Sequence, residues 1–177
     1  AVAGLTLAAG DDAAVLRMGA VLQVIATDHL RAFTEDPFLM ARIAATHALG
    51  DIWAMGAAPQ LALASLTLPR LSEPLQERTL LEIMAGANAV FTAAAAGIAG
   101  GHTAIGAELS IGFTVTGTAQ GRVLTKAGAQ AGHRLILTKP RGSGTLLAAE
   151  MARRAGGRDI AALWPFLTQP QGAASAI

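Results

Sequence analysis

Four of the six aspartates in the sequence, Asp11, Asp12, Asp28 and Asp51, stand at the edges of apolar stretches rather than on charged faces. Carboxylates so placed suit a divalent cation. Mg²⁺ takes oxygen ligands, is commonly held by one or two carboxylates, and leaves the rest of its shell to phosphates and water. The pair Asp11-Asp12 taken alone reads equally as a solvated turn. Asp51 poses the sharper problem, because it falls one turn after His47 on the face set by Met40, Ile43, Ala44 and Ala48 at three- and four-residue steps. An acid among small apolar groups must be paired, hydrogen-bonded or bound to a cation. Asp51 therefore either caps a neighbouring backbone turn or faces a positive charge.

Two further stretches carry chemistry-bearing residue types. Gly100-Gly101-His102-Thr103 could let backbone amides approach a phosphate, but it reads more simply as a tight turn after a strand. His47 and His102 lack a metal-type spacing and read as hydrogen-bonded core or cleft residues. The segment from Lys139 to Thr145 opens a helix with glycines and hydroxyls, yet it lacks the residue order of a P-loop.

The elements that must position these groups are legible from caps and periodicity. Asp36 suits an N-cap, Pro37 the first helical position and Gly56 the left-handed turn past the end, so the spacing predicts a helix between them. Ala13 to Met18 and Val21 to Thr27 read as a hairpin turning at Gly19-Ala20, with Asp28 at its end on the side of Leu22, Val24 and Ala26. Gln60 to Leu68 reads as a strand. A second long helix follows Ser72-Glu73-Pro74, burying Leu80, Ile83, Met84, Ala87, Val90, Phe91 and Ala94 and stopping at Gly97, with Asn88 on its surface or in a local backbone contact. Ile98 to Thr103 returns the chain through the Gly-Gly turn, Ser110 to Thr118 and His133 to Thr138 read as strands, and Leu146 to Arg154 as a helix. The remainder to Ile177 reads as short helical pieces broken by Pro165 and Pro170. In Ser110 to Thr118, Ile111, Phe113 and Val115 point one way while Ser110, Thr114 and Thr116 point the other. The order is that of an α+β fold, one antiparallel or mixed sheet with two long helices on one face. Its uncovered face is expected to meet a second subunit.

Composition narrows the class. With no Tyr, two Trp and five Phe, the core must be built from aliphatic and small side chains. A formal charge of +1 with scattered basic residues gives no footprint for nucleic acid or an anionic membrane. No Cys is present, which excludes disulfides, thiolate metal sites and a cysteine nucleophile within these residues and fits a cytoplasmic protein. No apolar run reaches the roughly 18 residues of a membrane span. The chain opens on Ala1 and stops at Ile177 within a helical pattern, so it is expected to be part of a longer protein.

The series of motifs is more specific than any member of it. Asp-Asp-Ala-Ala-Val precedes the hairpin, and Thr-Asp closes it. Asp-Pro-Phe opens the helix that continues Arg-Ile-Ala-Ala-Thr and ends Asp-Ile-Trp-Ala-Met-Gly. Gly-Gly-His-Thr, Val-Thr-Gly and Leu-Thr-Lys-Pro follow. From about Gly10 to Thr145 this resembles the selenophosphate synthetase (selenide, water dikinase) family. Thr27 to Phe33 is most similar to members fused behind a flavin-dependent NADH dehydrogenase-like domain. The family belongs with the aminoimidazole ribonucleotide synthetase-like ATP-binding proteins, whose N-terminal domains pair as homodimers and close a barrel from two sheets.

The resemblance implies Mg²⁺-dependent conversion of ATP, selenide and water to selenophosphate, orthophosphate and AMP. It makes Asp12 and Asp51 the Mg²⁺ ligands. It places Ala9, Gly10, Asp11, Asp28 and Asp51 on ATP from one subunit, and Gly101, His102 and Thr103 on it from the other. It divides the chain into an ATP-binding and dimerisation domain at 1–138 and a linker with the start of a second domain at 139–177. The family's catalytic Cys or selenocysteine and its Lys are missing upstream of Asp11, so the residues are expected to be inactive alone. His47 stands where many members have Asn. The competing implications are a thiamine-monophosphate kinase-like or hydrogenase maturation factor-like ATP-binding half, or a non-catalytic dimerisation module.

Overall fold

The computed structural model describes residues 3–7 and 9–176. Ala8 lies outside them. Six strands, β1 (Leu5–Leu7), β2 (Ala14–Met18), β3 (Val21–Arg31), β4 (Ala58–Pro69), β5 (Gly97–Gly106) and β6 (Ser110–Gln120), form one mixed sheet in the order β1-β2-β3-β6-β4-β5. All neighbours are antiparallel except β4 and β5, which run parallel. That parallel pair needs a crossover, and helix α2 (Glu73–Ala93) supplies it. Helix α1 (Pro37–Ala54) links β3 to β4 and packs beside α2 on the same face of the sheet.

The two-residue alternation explains the core. Val15, Leu22, Val24, Ala26, Ala62, Ala64, Leu66, Ile111, Phe113 and Val115 are buried under the helices. On the opposite face Gln23, Thr114 and Thr116 are only partly covered, and Leu61 and Leu63 are exposed. The expected half-polar strand is thus real. Met40, Ala44, Ala48, Leu49 and Ile52 of α1 and Ile83, Ala87 and Phe91 of α2 complete the core, with Phe91 edge-on to Phe113 at 5.1 Å between ring centres. Absent side chains bring the layers close. A Cβ on Gly86 would come within 2.4 Å of the Phe38 carbonyl oxygen, and one on Gly117 within 2.5 Å of Ile52. Each position brings α1 against a neighbour at a distance only glycine permits.

The helix predicted from its caps has them. The Asp36 carboxylate accepts from the Leu39 amide at 2.9 Å, Pro37 opens α1, and Gly56 follows it with φ 68°. Elsewhere the structure departs from the expectations. β3 runs on to Arg31 because β6 pairs with it along its whole length. Helix α2 stops before Gly97, turning through Ala95 in the left-handed region. Gly100-Gly101 is no turn but lies inside β5, next to the one-residue irregularity where Ala99 is unmatched by β4. His133 to Thr138 forms no strand. Its apolar residues Leu135, Ile136 and Leu137 are exposed and find no strand partner among the described residues.

The next helix, α3 (Ser143–Met151), begins earlier than expected. Helix α4 (Gly157–Leu167) continues through Pro165, where the bond lost to the ring falls on the solvent-exposed Ala161. A last turn, α5 (Gly172–Ser175), docks on α1 through the Ser175 hydroxyl, which donates to the Trp53 carbonyl at 2.6 Å, and Trp164 of α4 stacks on Phe33. No helix among the described residues is long and apolar enough to cross a membrane.

Candidate nucleotide and metal site

The acids converge at one corner, where the start of β2, the middle of β3 and the last turn of α1 meet. Asp28 sits on the helix-facing side of β3, as alternation requires, and Asp51 looks toward it from α1. The close approach at Gly117 holds that end of α1 on the sheet. Asp11 and Asp12 precede β2 in a turn where Gly10 adopts φ 119° and Ala9 bridges to Asp11. The Asp11 carboxylate accepts from the Asp12 amide at 3.1 Å and from the Lys126 amide at 3.2 Å, so it organises the turn.

The corner is electrostatically unbalanced. Burial, followed by the charges of Asp28 and Asp12, pushes the Asp51 carboxyl up to about 6, while His47 pulls in the other direction. Among the described residues no backbone group donates to the Asp51 side chain, which removes the capping explanation for this acid. The Asp28 Oδ2 atom is buried and has no hydrogen-bond partner among the described residues. The His47 imidazole stands near it, with Nε2 3.8 Å away, beyond hydrogen-bonding reach. His47 itself is mostly exposed, a correction to its expected place on the core-facing stripe. The helix turns it to the rim of the corner.

Positive charge comes instead from a residue that motif reading passed over. After β6, Leu124 packs over Gly56 and its amide donates to the Met55 carbonyl at 3.0 Å. The chain then enters a short 3₁₀ turn (Lys126–Gly128). Lys126 Nζ reaches Asp12 Oδ1 at 2.7 Å, and that hydrogen bond, with the charges of Asp12, Asp11 and Asp51, holds the ammonium above its ordinary range. Nothing local in the sequence marks Lys126. Only the pairing of β6 with β3 carries it to the acids.

Among the described residues no three His, Asp or Glu side chains are disposed to hold a metal ion by themselves. Two or three carboxylates, one with an orphaned buried oxygen and one pushed toward protonation, still fit a cation that brings its own oxygen ligands, as Mg²⁺ does when chelated by phosphates. Beside the corner, a cavity of about 510 Å³ runs between α1 at Thr46, His47 and Gly50 and the segment Lys139 to Ser143. Lys139 Nζ donates to the Gln169 carbonyl at 2.9 Å, and burial lowers its pKa.

Gly101, His102 and Thr103 are not brought to this corner. They lie on β5, four strand spacings from β2, roughly 19 Å across the sheet. A Cβ on Gly101 would meet the Ala64 carbonyl oxygen at 2.0 Å, so glycine is required there for β5 to pair with β4.

The model of the AIR synthase related protein N-terminal domain matches residues 10–123. A selenide, water dikinase of Geobacter metallireducens is 42% identical over 136 residues, which span 76% of this chain and 39% of the relative. One of Pseudomonas aeruginosa is 39% identical over 155 residues, spanning 86% of this chain and 44% of the relative. The chain thus spans about two fifths of the length of these curated relatives. Among solved structures, thiamine-monophosphate kinase from Stenotrophomonas maltophilia superposes with TM-score 0.75 at 23% identity, over 98% of this chain and 58% of its own. The Aquifex aeolicus enzyme gives 0.76 at 18% identity, over 93% and 57%. Those likenesses show the shared fold of a mixed sheet with two helices on one face. By sequence and by fold, the chain belongs to the AIR synthase related protein N-terminal domain family.

Proposed function

We propose that these residues form the nucleotide-binding half of a selenide, water dikinase, which converts ATP, selenide and water to selenophosphate, orthophosphate and AMP. The observation that carries this reading is the acid corner, three carboxylates drawn together with one buried oxygen unpartnered and one group pushed up to about 6. Such a corner is relieved by a cation. Identities near 40% to selenide, water dikinases support the choice of reaction.

In this reading Asp12 and Asp51 hold Mg²⁺. When bound, the ion neutralises charge developing on the transferring phosphoryl oxygens. Ala9, Gly10, Asp11 and Asp28 position the nucleotide in the same subunit, with Asp11 fixing the turn that presents the backbone of Ala9 and Gly10. Gly101, His102 and Thr103 lie too far away to join them, so they serve the site of a second copy in a homodimer. The partly apolar open face of the sheet, with Leu61 and Leu63 exposed, supports that pairing. We place the boundary of the ATP-binding domain near residue 138 and assign 139–177 to the linker and the start of a second domain. The family's Cys or selenocysteine and Lys are not among these residues, so the isolated 177 residues make no selenophosphate.

Phosphorus NMR of the intact protein with ATP, Mg²⁺ and selenide tests the reading. Selenophosphate, orthophosphate and AMP should appear only when selenide is present. ADP formed without selenide would replace this function with that of a thiamine-monophosphate kinase-like relative, and no turnover would leave a dimerisation module.

A further inference from the structure

Lys126 is tied to the acid corner twice, by its amide on Asp11 and by its ammonium on Asp12 at 2.7 Å. Its backbone is fixed, because the preceding Leu124 is bonded to Met55 and packed over Gly56 just past the end of α1. The side chain is not fixed: 60% of it is exposed, and among the described residues the ion pair with Asp12 is its one polar contact. A lysine head on a flexible stem, anchored within reach of three carboxylates, does two opposed things to an incoming ligand. It occupies an oxygen that a divalent cation needs and repels that cation. It also offers a positive charge to any phosphate the cation brings.

We propose that Lys126 is a positioning residue that exchanges partners, serving as the counter-ion of Asp12 before a divalent cation enters and as a phosphate contact once the cation enters with a nucleotide. The exchange makes the corner discriminate, disfavouring the bare cation and favouring the metal-nucleotide complex. The inference rests on the ATP and Mg²⁺ reading above and adds a residue and a selectivity to it.

The test is an electron paramagnetic resonance titration of free Mn²⁺ against the intact chain. It is run with Mn²⁺ alone and with Mn²⁺ plus a methylene-bridged ATP analogue, on the unaltered protein, Lys126→Met and Lys126→Arg. Lys126→Met should bind bare Mn²⁺ about two- to fivefold more tightly and the Mn²⁺-analogue complex about two- to fivefold more weakly, the range for one exposed charge contact. Lys126→Arg should restore both toward the unaltered values. Shifts in the same direction, or no shift in either, would overturn the role of Lys126 and leave the ATP reading standing, provided Asp12→Asn abolishes binding. If the unaltered protein binds neither Mn²⁺ nor the complex, both proposals fall together.

Discussion

The two ends of the sheet solve opposite problems. At the β2–β3 end the fold crowds like charges under α1 and leaves an oxygen without a partner among the described residues. At the β5 end it strips side chains away, and Gly97, Gly100, Gly101 and Gly106 make an exposed strand whose backbone hugs β4. One end is short of positive charge and the other of bulk. In the homodimer proposed above each end would supply half of a site, and the sheet's own width keeps the two ends apart within one chain. The contrast teaches that conflict stored in side chains and room left in backbone are separate design elements, and substitutions should expose them separately.

The largest effect is expected at the charged end. Asp51→Asn should weaken binding of the Mn²⁺-ATP analogue by roughly 100-fold, measured by calorimetry, because the carboxylate proposed to hold the ion becomes a neutral amide. At the other end Gly101→Ala should destabilise the fold by about 2–3 kcal/mol in urea denaturation, since its Cβ would lie 2.0 Å from a carbonyl oxygen. Gly97→Ala on the same strand meets nothing within 4 Å and should cost under about 1 kcal/mol. Equal costs at the two glycines would dissolve the idea that β5 is shaped by its approach to β4.

A smaller effect follows from linkage at Asp51. Its carboxyl moves from 3.8 to about 6 on folding, so between those pH values the folded state holds a proton the unfolded chain has released. Stability therefore falls as pH rises through that window, by about 1–2 kcal/mol once solvent screening is allowed for. In chelated buffer Asp51→Asn should abolish that slope and be the more stable protein at pH 7.5. A variant that loses both binding and stability would show that the carboxylate is a structural prop and not a held conflict. The smallest change is expected from His47→Asn, within about 0.5 kcal/mol, because the imidazole is exposed and 3.8 Å from Asp28. A larger loss in nucleotide binding than in stability would move His47 from the rim into the site.

What could be read from the sequence was what depends on neighbours in the chain. The caps of α1, the alternation in β6, the buried stripe of α2 and the two-residue hairpin turn at Gly19-Ala20 are local, and all appear in the structure. Asp28 and Asp51 were placed on inward faces by periodicity alone. What failed was non-local. Gly100-Gly101 carries turn chemistry, and only the crowding of β4 makes those glycines part of a strand. His133 to Thr138 has a strand's composition, but composition supplies no partner for its hydrogen bonds. Lys126 became visible only after β6 was laid between β3 and β4.

That insertion also sets the order in which the molecule can be built. Val21 waits for Gln120, and Asp28 for Phe113, before β3 gains its second neighbour. Without β6, β2–β3 and β4–β5 share no paired neighbour, and each has an open edge where β6 lies. Loop closure over so long an intervening segment is slow compared with helix formation. The corner with Lys126 at its edge draws on residues from Asp11 to Lys126, and the edges of β3 and β4 that β6 covers are those that would lie bare without it.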